Sequence, residues 1–216
     1  MDLQTFTELG SGLLVSLEIF FLTLLFSLPL GMVVAFGRLS RNRILSGITK
    51  FYISIMRGTP LMLQLIVVYF GPYYLFRMRL GAEYRMIAVI LAFALNYSAY
   101  FAEIYRSGLQ AMPKGQYEAA KVLGYSKTQT FFHIILPQLI KQVLPAVTNE
   151  IITLVKDTSL AFAIAVAEMF TMAKQLAAAQ ATIMPLMIAG LYYYVFNLVV
   201  SFVMECIEKH YAYYSN

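Results

Sequence analysis

The sequence predicts an all-α integral membrane bundle of five transmembrane helices, with the N-terminus outside and a helical loop in the cytoplasm. Three observations predict it. Of the 216 residues, 60% are hydrophobic and only 12% are charged, and the mean hydropathy is +0.70; ordinary soluble domains carry about 25% charged residues. The apolar residues fall into runs close to the roughly 20 residues needed to cross a hydrocarbon core of about 30 Å. Lys and Arg collect on one side of those runs.

The spans are read in chain order, within one transmembrane domain covering residues 1–216. Span 1 covers residues 13–36, with Glu18 near its start and Pro29 inside. Proline is tolerated in a membrane helix when neighbouring groups satisfy the freed carbonyl. The stretch before it contains Asp2 and Glu8 but no Lys or Arg. A cleavable leader has a basic front and a short apolar core, so span 1 reads as retained. Span 2 covers residues 60–76, after an apolar lead-in at 51–56 and Arg57-Gly58-Thr59-Pro60, which places Arg57 close to the membrane surface. Span 3 covers residues 86–105, and a polar loop occupies 106–141. Span 4 is read at 146–166 and is ambiguous, because the apolar stretch from Ile134 is broken by Pro137, Lys141 and Pro145. An Ala-rich loop at 168–182 leads to span 5 at 183–207.

Charge sets the orientation. One side receives Arg38, Arg41, Arg43, Lys50, Arg57, Arg106, Lys114, Lys121, Lys127, Lys141 and Lys209, eleven in all. The other receives Arg77, Arg79, Arg85 and Lys174, four in all. Positive loops stay inside, so the 106–141 loop is cytoplasmic. The Arg77–Arg85 cluster breaks the rule, and a contact surface for an acidic external partner is the alternative reading. The net charge of +5 is loop charge without a basic run, so the lipid bilayer is a partner and nucleic acid is not. Cys206 is a single cysteine in the last apolar run and serves as a small apolar filler. His133 and His210 have no second His or Cys at ligand spacing, so no metal site is expected. No Ser/His/Asp set is present, so no catalytic residue and no enzyme activity are expected. The Tyr and Phe residues, including Tyr192–Tyr194 and Tyr211–Tyr214, read as lipid-facing or interfacial belts. There is no internal repeat and no phosphate-binding loop, so any energy source is external to the chain.

The cytoplasmic loop carries the most specific pattern. Glu118-Ala119-Ala120 is followed after three residues by Gly124, after nine more by Ile134, and then by Leu136-Pro137. Pro113 suits the first helical turn, residues 116–123 favour helix, and Gly124 suits the left-handed position that ends one. Ala119 and Ala120 are small, so another surface can approach, while Glu118 and Lys121, three apart, can form charge pairs at the rim. This spacing resembles the EAA loop of ABC-importer permeases, which couples a transmembrane subunit to a separate ATPase. Arg57-Gly58-Thr59-Pro60 with Leu61 and Gln64 is similar to the start of the second span in polar amino-acid permeases. Lys156-Asp157-Thr158-Ser159-Leu160 is similar to their fourth-span signature. These blocks follow the family order from Phe51 to Leu160. The resemblance implies a MetI-like permease fold in a prokaryotic cell membrane. It implies ATPase coupling through Glu118, Ala119, Ala120 and Gly124. It also implies a second permease subunit (a homodimer is favoured over a heterodimer), a cytoplasmic ABC ATPase dimer and an extracytoplasmic amino-acid-binding protein. ATP and Mg belong to the partner ATPase, so this chain itself holds no cofactor.

Ionisable groups at membrane depth cost about 2.5–3.5 kcal/mol each at a helix centre, so each needs a partner or a function. Glu150 and Asp157 are seven residues apart and share one helix face. Lys156 adjoins Asp157 and can neutralise one carboxylate. Asn96, Tyr100 and Glu103 recur at i, i+4 and i+7 and form a polar stripe. Glu18, Gln64 and Tyr69 are weaker candidates. One reading is structural: such groups bond one another and hold the bundle, at about 0.6 kcal/mol each. The other takes Asn96, Tyr100, Glu103, Glu150, Lys156 and Asp157 as a substrate passage. Carboxylates outnumber the one Lys, which suits a zwitterion with a cationic side chain. Its carboxylate would meet Lys156 or a backbone donor. The expected function is the permease subunit of an ATP-driven importer of polar, basic (Arg, Lys or His) amino acids, working by alternating access. The alternatives are a permease for neutral polar amino acids such as glutamine, an ion- or proton-coupled secondary transporter, and a non-transporting membrane scaffold.

Overall fold

A computed structural model describes residues 3–78 and 80–212. Asp2, Arg79, Tyr213 and Tyr214, which enter the charge and belt readings, lie outside the described residues. Those described form helices and connecting turns only. Helix α1 spans Leu3–Arg38, α2 Arg43–Gly58, α3 Leu61–Phe76, α4 Tyr84–Ala111 and α5 Lys114–Val122. They are followed by α6 (Lys127–Gln129), a π-helical turn (Thr130–Ile135), α7 (Leu136–Asp157), a 3-10 helix (Thr158–Ile164), α8 (Met169–Ala179) and α9 (Met184–Ala212). Among the described residues four helical stretches are long and apolar enough to cross a membrane, and α2 with α3, bent by 109°, makes a fifth if the pair is taken as one span.

The bend is written into Thr59-Pro60. Proline has no N–H to continue a helix and forces the residue before it out of the helical region. Thr59 is extended accordingly, with φ −125° and ψ 149°. Asn42 caps the other end of α2 through bonds from Ile44 N (2.9 Å) and Leu45 N (3.4 Å). The fourth span differs from the expected 146–166. Pro137 does not break it: the π-helical turn Thr130–Ile135 runs directly into α7, and the helical stretch continues through Pro137. The helix therefore begins ten residues earlier, at Leu136, and yields to the 3-10 segment immediately after Asp157. The loop expected at 168–182 is largely helical, as α8.

The main seam joins α1 to α4. Gly12, Ser16, Thr23, Ser27, Gly31 and Ala35 are all buried on α1, a small-residue stripe that lets backbones approach where lipid removes the hydrophobic drive between helices. A Cβ at Gly31 would stand 2.8 Å from Phe101 Cβ and 3.2 Å from Ser98 O. Further up, Ser16 Oγ accepts a bond from Met169 N at 3.3 Å, tying α1 to α8. On the opposite flank Tyr52 Oη donates to Leu95 O at 2.6 Å and lies 2.7 Å from Ser98 Oγ, fastening α2 to α4.

Glu168 organises the outer end. Its side chain is fully buried. It caps α8 by accepting from Phe170 N (2.7 Å), Thr171 N (2.7 Å) and Thr171 Oγ1 (2.8 Å), and it accepts from Tyr193 Oη on α9 (3.0 Å). Burial pushes its carboxyl above the ordinary range, against the pull of these bonds. The folded state thus holds this proton more tightly than the unfolded chain, and the group's contribution to stability declines as pH rises through that range. Glu168→Ala is expected to cost about 2–3 kcal/mol, a lost cap plus orphaned buried donors, read as a lower thermal midpoint of the purified protein in detergent.

Arg85 accounts for part of the external positive cluster. It donates from Nε to Tyr69 Oη and from Nη1 to Ala165 O, each at 3.3 Å. Ala165 is the left-handed residue (φ 56°) that ends the 3-10 helix. This arginine thus serves the fold's own outer end.

Candidate functional site

The bend between α2 and α3 turns Thr59, Pro60 and Leu61 toward α4 and α7. An amide network holds it there. Asn96 Nδ2 on α4 donates to Met56 O (2.9 Å) and Gln64 Oε1 (3.0 Å). Gln64 Nε2 donates in turn to Met56 O (3.0 Å), Thr59 O (3.1 Å) and Thr59 Oγ1 (2.8 Å). The carbonyls freed by Pro60 are thereby satisfied within the protein, as non-helical backbone at membrane depth requires.

Two cavities meet at this point. One, of about 260 Å³, is lined by Thr59, Pro60, Leu61, Asn96, Tyr97, Tyr100, Glu150, Thr153, Asp157 and Leu160. The other, of about 410 Å³, continues toward the cytoplasmic end of α4 and is lined by Arg57, Tyr100, Glu103, Arg106, Ser107, Gly108, Gln142 and Glu150, among others. Tyr100 and Glu150 belong to both.

The six residues read from the sequence divide accordingly. Asn96, Tyr100, Glu150 and Asp157 come together in the smaller cavity. Glu103 lines the larger one, where Arg106 holds it through Nε (3.0 and 3.1 Å) and Nη2 (2.6 Å). Lys156 is exposed and lines neither cavity, although its charge acts on Asp157. Tyr97 is the hydrogen-bond partner of Asp157, donating to Oδ2 at 2.7 Å. Glu150 has no hydrogen-bond or ion-pair partner among the described residues, and the charges acting on it are Arg57 and Asp157. Arg57 is exposed, and its guanidinium sits 5.3 Å over the Tyr100 ring. Sequence reasoning missed Tyr97 and the seat of Arg57 on the Tyr100 ring. Tyr97 is one residue from Asn96, but the seat of Arg57 depends on which helices face one another. The α3 N-terminus adds backbone polarity at the cavity wall. Leu63 N and Gln64 N bond to Pro60 O, leaving the first α3 amides outside the ladder and a partial positive charge there.

The cytoplasmic loop forms α5, ended as expected by Gly124 at φ 78°. The bonds from Leu123 N to Ala119 O and from Tyr125 N to Ala120 O close it. Glu118 and Ala119 are exposed, but Ala120 is buried against the chain itself. It packs the helix inward and leaves no room for an approaching surface. The outward tip is apolar instead, with Val122 88% and Leu123 72% exposed.

A family profile described as the binding-protein-dependent transport system inner membrane component matches residues 27–213. The chain belongs to this family. It is a multi-pass membrane permease of an ABC amino-acid importer, which sets aside the ion-coupled and scaffold readings. The permease is 38% identical to the arginine transport system permease protein ArtQ of Bacillus subtilis (strain 168) over 92% of this chain and 90% of that protein. It is 34% identical to a putative glutamine transport system permease protein of Rickettsia conorii, with the same coverage, and 36% identical to the nopaline transport system permease protein of Agrobacterium fabrum, over 93% and 88%. Among solved structures it superposes on an amino acid ABC transporter with histidines at a TM-score of 0.84 and 31% identity, covering 97% of this chain and 99% of that one. An inward-facing methionine transporter matches at a TM-score of 0.79 and 17% identity, over 98% and 99%, which shows the shared fold. In this family an ATPase and a binding protein accompany the permease, and the EAA loop with its coupling helix is typical.

Proposed function

We propose that the permease holds its cargo in the cavity between α3, α4 and α7, and that the cargo is a basic amino acid. The observation that carries this is Glu150, a carboxylate at membrane depth without a hydrogen-bond or ion-pair partner among the described residues, sharing a cavity with Asp157. Charges there are retained only with a partner or a function, and a cationic side chain or α-ammonium is the complement. The cargo carboxylate meets the polar N-terminus of α3 at Pro60 and Leu61, which line the cavity, whereas Lys156 does not. Asn96 is already committed to holding the bend. Similarity to an arginine permease and to a transporter with histidines supports the basic reading.

A second reading, a neutral amide cargo, is favoured by the glutamine relatives. Uptake into proteoliposomes separates the two. Glu150→Gln is expected to lower arginine uptake about 10- to 100-fold, the equivalent of ~1.4–2.8 kcal/mol of lost charge pairing, and to leave any glutamine uptake in place. Unchanged selectivity for arginine over glutamine would sink the basic assignment.

Partners follow from the same reading. Two copies of the permease pair across the bundle, and a cytoplasmic ATPase dimer carrying ATP and Mg docks on each α5, with Glu118 and Ala119 at its rim. Closure of the ATPases moves α5, which leads through α6 and the π turn into α7, so the stroke reaches the helix that carries Glu150 and Asp157. The passage then alternates between the two faces of the membrane.

A further inference from the structure

Arg57 is the one cation lining the larger cavity that Glu103 does not hold by a bond. Its guanidinium rests on Tyr100, one of the two residues that separate the cavities. A ring face holds such a cation by roughly 0.5–2 kcal/mol, weakly enough to be left. Its charge acts on both Glu103 and Glu150. Glu103 is already engaged by the Arg106 fork, so the carboxylate open to Arg57 is Glu150. Arg57 is also exposed and stands in the last turn of α2, one residue from the break that bends the chain by 109°. Rotation of the exposed Arg57 side chain, with α2 left in place, therefore carries the guanidinium from Tyr100 toward Glu150 without unpacking a core.

We propose that Arg57 is a tethered competitor of the cargo: its guanidinium takes over Glu150 as the cargo cation leaves for the cytoplasmic cavity. The site then never presents a bare carboxylate, and release is hastened because the cargo does not have to surrender its partner unassisted. A planar guanidinium suits the task, since it stacks on a ring and forks onto a carboxylate with the same group. This rests on the assignment of Glu150 to the cargo cation.

The test uses the complete transporter with its ATPase, purified and reconstituted, and radiolabelled L-arginine as probe. Without nucleotide, Arg57→Ala is expected to bind arginine about tenfold more tightly, a gain equivalent to ~1.4 kcal/mol, while maximal uptake falls about tenfold. Arg57→Lys keeps the charge and is expected to stay within a few-fold of the parent in both. Weaker binding in Arg57→Ala would make Arg57 a ligand of the cargo carboxylate and overturn the proposal. So would unchanged binding and uptake. Glu150→Gln separates the two ideas. If it leaves arginine selectivity intact, the site assignment fails and the competitor role with it. If it removes selectivity while Arg57→Ala changes nothing, the competitor role alone is overturned. In the double variant the Arg57→Ala gain in affinity is expected to vanish.

Discussion

Gly31→Leu is expected to abolish most of the folded protein. The added side chain would start 2.8 Å from Phe101 Cβ, with Ser98 O at 3.2 Å and Ala102 N at 3.3 Å. Two of these three are backbone atoms of α4, which cannot swing aside as a flexible side chain would. The long seam between α1 and α4 must open to admit four more carbons. Overpacking a well-filled interior costs about 1–3 kcal/mol and sometimes more, and a clash against backbone belongs at the upper end. Membrane helices gain little from burial alone, so close contact is what the seam has to lose. Yield and thermal midpoint by size-exclusion chromatography in detergent read the effect. Gly190→Ala in α9 is the control: nothing lies within 4 Å of a Cβ there, and alanine is expected to be neutral or to stabilise by up to about 1 kcal/mol.

Leu123→Asp is expected to leave the permease folded and stop transport. Leu123 and Val122 project from the end of α5 at 72% and 88% exposure, so a charge there disturbs no internal packing. An apolar tip beside Gly124 suits a pocket in a docking ATPase, and buried apolar anchors carry most of the energy in such contacts. Losing one costs at least about 2 kcal/mol, or roughly thirtyfold in association. The ATPase is expected to stop co-purifying with the variant, and uptake to fall by a similar factor, with the thermal midpoint unchanged. Retained co-purification would place docking elsewhere on the loop.

The site was legible where it follows one helix. Asn96, Tyr100 and Glu103 lie on one face of α4, and Glu150 and Asp157 on one face of α7, because 3.6 residues per turn brings such spacings into register. Lys156 is the instructive exception. Neighbouring helical positions point about 100° apart, so Asp157 lines the cavity while Lys156 beside it is exposed and does not. What joins different helices was not legible. Tyr97 meeting Asp157 and Arg57 lying over the Tyr100 ring depend on which helices face one another. Glu168 was hidden for another reason. A lone Glu in an Ala-rich stretch looks like a solvated loop residue until α1, α8 and α9 close around it.

The 3-10 segment Thr158–Ile164 begins at the residue after Asp157. A 3-10 helix advances about 2.0 Å per residue, against 1.5 Å in an α-helix. Rewinding these seven residues into α form would shorten the strut by roughly 3.5 Å and screw everything beyond it around the axis. The pieces beyond it are Ala165, where Arg85 is latched, and the Glu168 cap of α8. Such a rewinding would turn a small change next to the acidic pocket into travel at the outer rim. A spin-label pair at exposed positions on α7 and α8 would measure that travel.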